Sequence, residues 1–384
     1  MTKHSETVGG SSAGPLIACP GRYRMSKQAP PRASSSYADE GSMLHSAMEK
    51  ILLEDIEDLT TMIGFVDPDY PDHVLTQDLL DEMVIPALKH LDAIAVEYGE
   101  FEFDIEAEVV FKGIDGAFGT ADIVGFNEDY TFVIDWKFGR GVPVSAEKNT
   151  QLMFYTYAAS TTPAIEDMFN GHPIVQAIIQ PAVGSGMSIY ETDMKEVKQV
   201  AKKIKDAWKL AQEPDAPLNV GDHCRFCPAL SICPERRKGV DLGLTLVNKE
   251  IKVPELGDLL LLCEQLEPWI KEVKKVAHAA LERGEPVTGF KLVPKRATRK
   301  WTDEDAAIEE MSKSLDRSDL TVEKAVSPAQ AEKLFKKQGL DFDLMKDFVV
   351  AASTGNTMAP ESDPRPDAIS TGRQGVSLGL PDSK

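Results

Sequence analysis

The sequence predicts an α/β fold in which a mixed central sheet is flanked by helices. Three observations carry that expectation. Residues 101–109, "FEFDIEAEV", alternate apolar and acidic side chains, the period of a half-buried strand. Two apolar runs follow, "GTADIVGF" and "YTFVIDWK", separated by Asn127, Glu128 and Asp129, which suit a tight turn. On both sides of this block the apolar residues change to helical spacing.

In chain order, residues 1–15 are polar and Gly/Ser-rich and read as a flexible lead. Met43, Leu44, Ala47, Met48, Ile51 and Leu52 then recur at the helical period. A second helix is expected over "LTQDLLDEMVIPALKHLDAIAVEYG", bent or interrupted at Pro86, which removes a backbone donor. The three strands come next, then a helix over "SAEKNTQLMFYTYAAS" with Ser145 as its cap. "IVQAIIQPAV" reads as a strand and "DMKEVKQVAKKIKDAWKLAQ" as an amphipathic helix. Beyond a cysteine-rich loop, "VPELGDLLLLCEQLEPWIKEVKKVAHAALERG" reads as helix with a break near Pro268. "FKLVPKRATRKWTDEDAAIEEM" reads as strand, basic turn and capped helix. Residues 352–384 are rich in Pro, Ser, Gly and Asp and read as a disordered tail.

A chain of 384 residues can bury a sizeable core. No apolar run approaches the roughly 20 residues that span a membrane, and the N-terminus lacks the apolar segment of a signal peptide, so a cytoplasmic location is expected. The formal net charge of -20 argues against a broad basic surface and serves solubility first. It leaves room for a local basic groove, and carboxylates that hold metal count toward the sum.

The hairpin holds the most chemistry. If Glu128 and Asp129 form a two-residue turn, Asp122 and Asp135 stand directly opposite each other, with Cβ atoms about 4.5–5.5 Å apart. Two carboxylates that close repel unless a proton or cation lies between them. Lys137, two residues beyond Asp135, shares its face. A salt bridge on an exposed sheet face would account for the three. Hard oxygen ligands on rigid strands beside a lysine also suit Mg²⁺- or Mn²⁺-assisted phosphodiester hydrolysis.

The five cysteines are Cys19, Cys224, Cys227, Cys233 and Cys263. "CRFCPALSIC" places three thiols in one short loop, a metal signal in a reducing compartment. Three ligands leave a closed site one short, and Cys19, Cys263 and His223 are the candidates for the fourth. Cys263 lies in the apolar run "LLLLCEQL", where a cysteine usually packs in a core.

"GTAD" followed by "VIDWK" resembles the D…(D/E)-x-K signature of the PD-(D/E)xK nuclease superfamily, with Ala-Asp where many members have Pro-Asp. The likeness is to the RecB-like branch. There an upstream helix supplies a metal-binding histidine in a G-x-x-x-H setting, matched by "GSMLH" ending in His45. A later helix there carries Q-x-x-x-Y, matched by Gln151 and Tyr155, which share a helix face. The resemblance implies a restriction-endonuclease-like core, with His45, Asp122 and Asp135 as metal ligands. It makes Asp122, Asp135, Lys137, Gln151 and Tyr155 the catalytic set. It also draws attention to Glu108, near where relatives sometimes carry an extra carboxylate; Glu102, Asp104 and Glu106 are expected to face solvent.

One cysteine before this core and three after it is similar to the iron–sulfur nucleases, including the AddB-type domain and the CRISPR-associated adaptation exonucleases. That resemblance assigns Cys19, Cys224, Cys227 and Cys233 to a [4Fe–4S] cluster stapling the ends of the domain, with zinc the alternative metal. The run from Cys19 to Cys233 also looks like a phage-associated RecB-like family of otherwise unknown function, and "KLVPKRATRKWTDEDAA" and "ESDPRPDAI" extend that likeness.

The expected organisation is a nuclease domain over 16–240, a mainly helical extension over 241–351, and the tail. The expected activity is a metal-dependent DNA nuclease of phage or prophage recombination, in a bacterial host cytoplasm, acting as an exonuclease and leaving 5′-phosphates. Its partners would be DNA with free ends and a single-strand annealing or other recombination protein. A catalytically weak or inactive nucleic-acid-binding protein of the same fold and a structure-specific endonuclease are the alternatives. The cluster of Lys295, Arg296, Arg299 and Lys300 beside Trp301 suits either a strand grip or a solvated loop.

Overall fold

The computed structural model describes residues 5, 7–31, 36–169, 171–246 and 256–291, together with 331, 332, 335, 340 and 341. Contacts divide the chain into residues 1–293 and 294–384, and nearly all described residues belong to the first unit. The 295–301 basic cluster, the strand, turn and helix expected there, and the tail lie outside the described residues.

Five strands form one mixed sheet: β1 (Glu102–Val110), β2 (Phe118–Phe126), β3 (Thr131–Trp136), β4 (Ile174–Ile179) and β5 (Met187–Thr192), in that spatial order. Neighbours run antiparallel except β3 and β4, which are parallel. A parallel pair needs a crossover, and α6 (Thr150–Ala159) lies in it.

The β2–β3 register is the one expected. Phe126 pairs with Thr131 and Ile123 with Ile134, and Glu128 and Asp129 form the turn. Asn127 closes it: its amide accepts the Asp129 N–H in its carboxamide oxygen at 3.0 Å and the Tyr130 N–H at 2.8 Å.

One face of the sheet packs on α3 (Ser36–Leu53) and α5 (Ile85–Tyr98). There Phe132, Ile134 and Trp136 meet Met43, Leu44, Met83 and Ile94, and Phe101 stacks on Phe132 at 4.1 Å. The other face packs on α1 (Gly10–Ala18), α6 and α7 (Met194–Ala211) through Val109, Phe111, Ala121, Val124, Phe154 and Ile204. Each large apolar side chain buried this way contributes about 1.5–3 kcal/mol before entropy is counted.

Several expectations change. The lead is not loose to residue 15: α1 starts at Gly10, and Val8, Ala13 and Leu16 are buried. Its N-terminus is stitched by Ser12, which accepts the Gly9 N–H and donates to the Gly9 carbonyl. The Pro86 break is a π-helical turn, Leu80–Val84, between α4 (Gln77–Leu79) and α5; the extra residue absorbs the proline ring and its missing donor. α6 is capped by Asn149, whose side chain accepts the Gln151 and Leu152 N–H groups, whereas Ser145 accepts from Glu147 in the preceding turn. α9 (Leu256–Glu282) follows α8 (Pro234–Leu246) and runs through Pro268 without a break. Cys263, expected in a core, is exposed on α9. β5 and the short α2 (Arg22–Ser26) went unread, because neither carries a long periodic pattern.

Candidate metal centre

β2 carries Asp122 at mid-strand and β3 carries Asp135 next to its last residue, close enough for each carboxylate to act on the other. Both are almost wholly buried, at 7% and 2% exposure. Asp122 is held by its neighbour strand: the Trp136 N–H donates to its Oδ2 at 2.6 Å. Its Oδ1 lies 3.4 Å from Nδ1 of His45, which projects from α3 and rests edge-on against Phe138. Asp135 turns instead toward Lys137 and Gln151. Its Oδ1 accepts from the Gln151 amide at 2.9 Å, and Lys137 Nζ lies 2.7 Å from Oδ2. Lys137 also donates to Gln151 Oε1 at 3.1 Å, closing a three-membered ring of side chains. Tyr155 lies one helical turn beyond Gln151, on the same face of α6. The Tyr155 ring fits only because α1 begins with a glycine: a Cβ on Gly10 would lie 2.6 Å from it.

Glu106 completes the pocket, and the sequence had placed it in solvent. The ligand atoms of His45, Glu106 and Asp122 all lie within 4.8 Å of one another. The register on either side, Ile105 with Ile123 and Ala107 with Ala121, sets Glu106 directly across from Asp122. Its backbone is in the left-handed region, φ 49°. For a residue with a Cβ that conformation costs about 1–2 kcal/mol. It also reverses the alternation of the strand. Phe101 packs on the α3/α5 face, whereas Ala107 and Val109 pack on the α1/α6/α7 face, and β2 switches likewise between Ala121 and Ile123. Glu108, to which the resemblance drew attention, pairs with Thr120 and is exposed. The convergent group is therefore His45, Glu106 and Asp122, with Asp135 one side chain away and committed to Lys137 and Gln151.

The electrostatics follow from burying acids together. Glu106 is pushed up to about 7, first by burial and then by the Asp122 charge, with His45 pulling the other way. Burial also raises Asp135, to about 6; Lys137 opposes the shift and Asp122 adds to it. For His45, burial alone would lower the pKa, but Asp122, aided by Asp135 and Glu106, more than offsets it, so it is raised. Lys137 is held above its ordinary value by Asp135 despite its burial, so it is an ammonium. Tyr155 is raised by burial and then by Asp135, so it remains a neutral phenol that can donate.

These shifts fix a pH dependence. Two acids with raised pKa values bind more protons folded than unfolded, so their stabilising contribution is full below pH about 4 and lost as pH rises through about 6 and 7. His45, also raised, acts in the same direction. Metal-free protein is expected to lose melting temperature between pH 5 and pH 8, and Mn²⁺ to restore more at pH 8 than at pH 6. Differential scanning fluorimetry with and without Mn²⁺ measures both; a metal-induced gain equal at the two pH values would refute the coupling. Glu106→Gln keeps the shape and removes one charge. It is expected to weaken Mn²⁺ binding about 10–100-fold, the scale of losing one supporting ligand group, while raising the melting temperature of metal-free protein at pH 8.

Cys19 follows the last residue of α1 and feels the charges of Cys224 and Cys227, but among the described residues the thiols do not close up into a tight ligand group as His45, Glu106 and Asp122 do. Cys19 and Cys224 are buried, Cys227 and Cys233 half-buried. Burial raises the Cys19 thiol, and the charges of Cys224 and Cys227 add to it. Cys227 is likewise raised by burial and feels Arg22, Cys224 and Cys233. Asn219 ties the segments together. Its N–H donates to Cys19 Sγ at 3.4 Å, its side chain donates to the Ala18 carbonyl at 2.8 Å, and its own carbonyl receives Cys224 Sγ at 3.8 Å and His223 Nε2 at 3.0 Å. Gly21 donates to the Pro217 carbonyl, and a Cβ there would lie 2.6 Å from the Ala216 oxygen. His223, one candidate for a fourth ligand, is engaged with Asn219, and Cys263 is on α9, outside this group.

No helix among the described residues is long and apolar enough to cross a membrane. A family model described as "Protein of unknown function (DUF2800)" matches residues 5–366. A solved structure titled "Crystal structure of SSO0001" is similar over 61% of this chain and 89% of its own, at 16% identity and a TM-score of 0.28.

Proposed function

The chain belongs to the DUF2800 family, whose description assigns no activity, and we propose from its site that it is a metal-dependent DNA nuclease, acting as an exonuclease. The observation that carries this reading is the convergence of His45, Glu106 and Asp122 beside the Asp135–Lys137–Gln151 ring. The donor set is mixed nitrogen and hard oxygen, in a pocket where crowded acids are held partly protonated. That set fits Mg²⁺ or Mn²⁺, and the buried Asp135 Oδ2, 2.7 Å from Lys137, has a second lone pair to offer. His45, Glu106 and Asp122 would hold the ion, with Asp135 joining when it releases Lys137. The ion would supply charge neutralisation at a phosphate and a more acidic water.

The rest is done by the chain's own groups. Lys137, an ammonium, is placed to stabilise negative charge developing on a phosphate oxygen and to orient a nucleophilic water. Gln151, bonded to both, restrains the positions of Lys137 and Asp135. Tyr155, neutral and a donor, offers a hydrogen bond to a backbone phosphate at the mouth of the pocket.

The cysteine group supports a second part of the reading, a [4Fe–4S] cluster on Cys19, Cys224, Cys227 and Cys233, with zinc as the alternative. Its role would be structural, tying α1 to the loop after α7. The role proposed for the chain is phage recombination, beside a single-strand annealing protein. Linear and covalently closed circular DNA, each single- and double-stranded, incubated with anaerobically purified protein and Mn²⁺, test the activity. The expected result is loss of linear substrate with 5′-phosphate products and intact circles. Rapid fragmentation of circles would favour the endonuclease, and metal binding without cleavage of any substrate would favour the inactive binding protein.

A further inference from the structure

Two buried polar atoms stand without a hydrogen bond in the segment that carries three of the thiols: Ser231 Oγ and Arg236 Nε. Arg236 is 6% exposed. No ion pair of its guanidinium occurs among the described residues. Leaving a buried guanidinium nitrogen or a buried hydroxyl unmet is unfavourable. The placement sharpens the anomaly. α8 starts at Pro234, directly after Cys233, so Arg236 sits in its first turn. A helix start is already electropositive, and a cation is unfavourable there unless an anion faces it. Arg236 comes three residues after Cys233, and side chains in a helix lean back toward its N-terminus, the end at which Cys233 lies. Arg22, from α2, already acts on Cys227 from the opposite segment.

Resting on the iron–sulfur reading above, we infer that Arg236 and Ser231 are donors to the sulfur atoms of the cluster held by Cys19, Cys224, Cys227 and Cys233. A cubane with four thiolates is a dianion or trianion, large enough to meet a buried guanidinium and a helix start at once. Arg22 and Arg236 then flank it from the two segments that it joins. Donors to cluster sulfurs and nearby positive charge retain the cluster and raise its potential, because reduction adds negative charge. The assignment separates this chain's positioning groups from its thiolate ligands: the thiolates bind iron, while Arg236 and Ser231 decide how firmly the cluster is kept.

The test uses full-length protein purified without oxygen, as wild type and as Arg236→Met, Arg236→Lys and Ser231→Ala. Three quantities are read: iron and sulfide per chain, the rate of cluster loss to a chelator, and the melting temperature of cluster-free protein. Arg236→Met is expected to lose its cluster about tenfold faster, the equivalent of one charge-assisted hydrogen bond. Its reduction potential should move to more negative values. Arg236→Lys should fall between, since it keeps the charge but loses the planar donor, and Ser231→Ala should show a smaller acceleration. Cluster-free Arg236→Met should melt no lower than cluster-free wild type, because it sheds an unpaired buried charge. Equal cluster loss in wild type and Arg236→Met overturns the inference, as does an equal drop in melting temperature with and without cluster. If Arg236→Met does not fold, Arg236→Lys decides: cluster loss and potential like wild type overturn the donor role. Wild-type protein without iron or sulfide would overturn this inference and the cofactor reading together; iron-loaded wild type with insensitive variants overturns this inference alone.

Discussion

Asp135→Ala is expected to lower cleavage of linear DNA by roughly 10³-fold or more, on the several kcal/mol that a metal-assisted displacement draws from its ligand set. Lys137→Ala should cost on the order of 10²–10³-fold, the scale of removing one donor to developing charge. The two should differ in metal binding. Asp135→Ala should weaken Mn²⁺ affinity, whereas Lys137→Ala should leave it unchanged or improve it, since Asp135 Oδ2 is freed from an ammonium 2.7 Å away. The variants should also remain folded. In metal-free protein at pH 8 Asp135 is a buried acid raised to about 6 that must ionise, so its removal takes away a cost. Lys137 keeps its bond to Gln151 at 3.1 Å in Asp135→Ala. Isothermal titration with Mn²⁺, a melting curve and an end-labelled cleavage assay on the same preparations separate these effects. Undiminished cleavage by Asp135→Ala would end the assignment of nuclease chemistry to this pocket.

The hairpin was readable because its determinants are local. Asn127 and the two residues after it fix the turn, and a fixed turn fixes which residues face each other, so the nearness of Asp122 and Asp135 follows from counting. His45, Gln151 and Tyr155 were reachable only through a resemblance, since spacing alone does not say that α3 and α6 meet at these two strands. Glu106 was out of reach for a physical reason. Strict alternation puts it beside Glu102, Asp104 and Glu108 on a solvent face. One left-handed residue reverses that alternation, and nothing in "DIEAEVV" marks where an L-residue will adopt φ 49°. Local composition misled in the opposite sense at the N-terminus, where Gly and Ser suggested looseness. Gly10 instead lets the chain pass close to Tyr155, a requirement set by a residue 145 positions away. The sequence context of Cys263 suggested burial, but α9 presents that position to solvent.

The cysteines permit the other large effect. Protein isolated without oxygen is expected to be brown, with broad absorbance near roughly 400 nm from thiolate-bound iron. Cys19→Ala should remove the cluster, whereas Cys263→Ala should retain it. Cys19 is buried and near Cys224 and Cys227, so it is the thiol that the loop after α7 lacks; Cys263 lies exposed on α9. Loss of the cluster need not unfold the chain. Asn219 still donates to the Ala18 carbonyl at 2.8 Å and Gly21 still donates to Pro217, so α1 stays against residues 216–219. The contact is tight enough that Gly21 has no room for a Cβ. What the cluster adds is a bond between distant segments that restricts the unfolded chain. By analogy with a covalent cross-link closing a long loop, that is worth about 2–4 kcal/mol, so Cys19→Ala should melt several degrees lower while keeping its circular dichroism spectrum. The Asp122–Asp135 pocket is built on strands and α3, away from the thiols, so Mn²⁺ binding should survive in Cys19→Ala even if processive degradation does not. Iron and sulfide analysis, melting and Mn²⁺ titration on both variants check each step. Full iron retention by Cys19→Ala would exclude it as a ligand, and zinc without sulfide in wild type would make the centre a single-ion site.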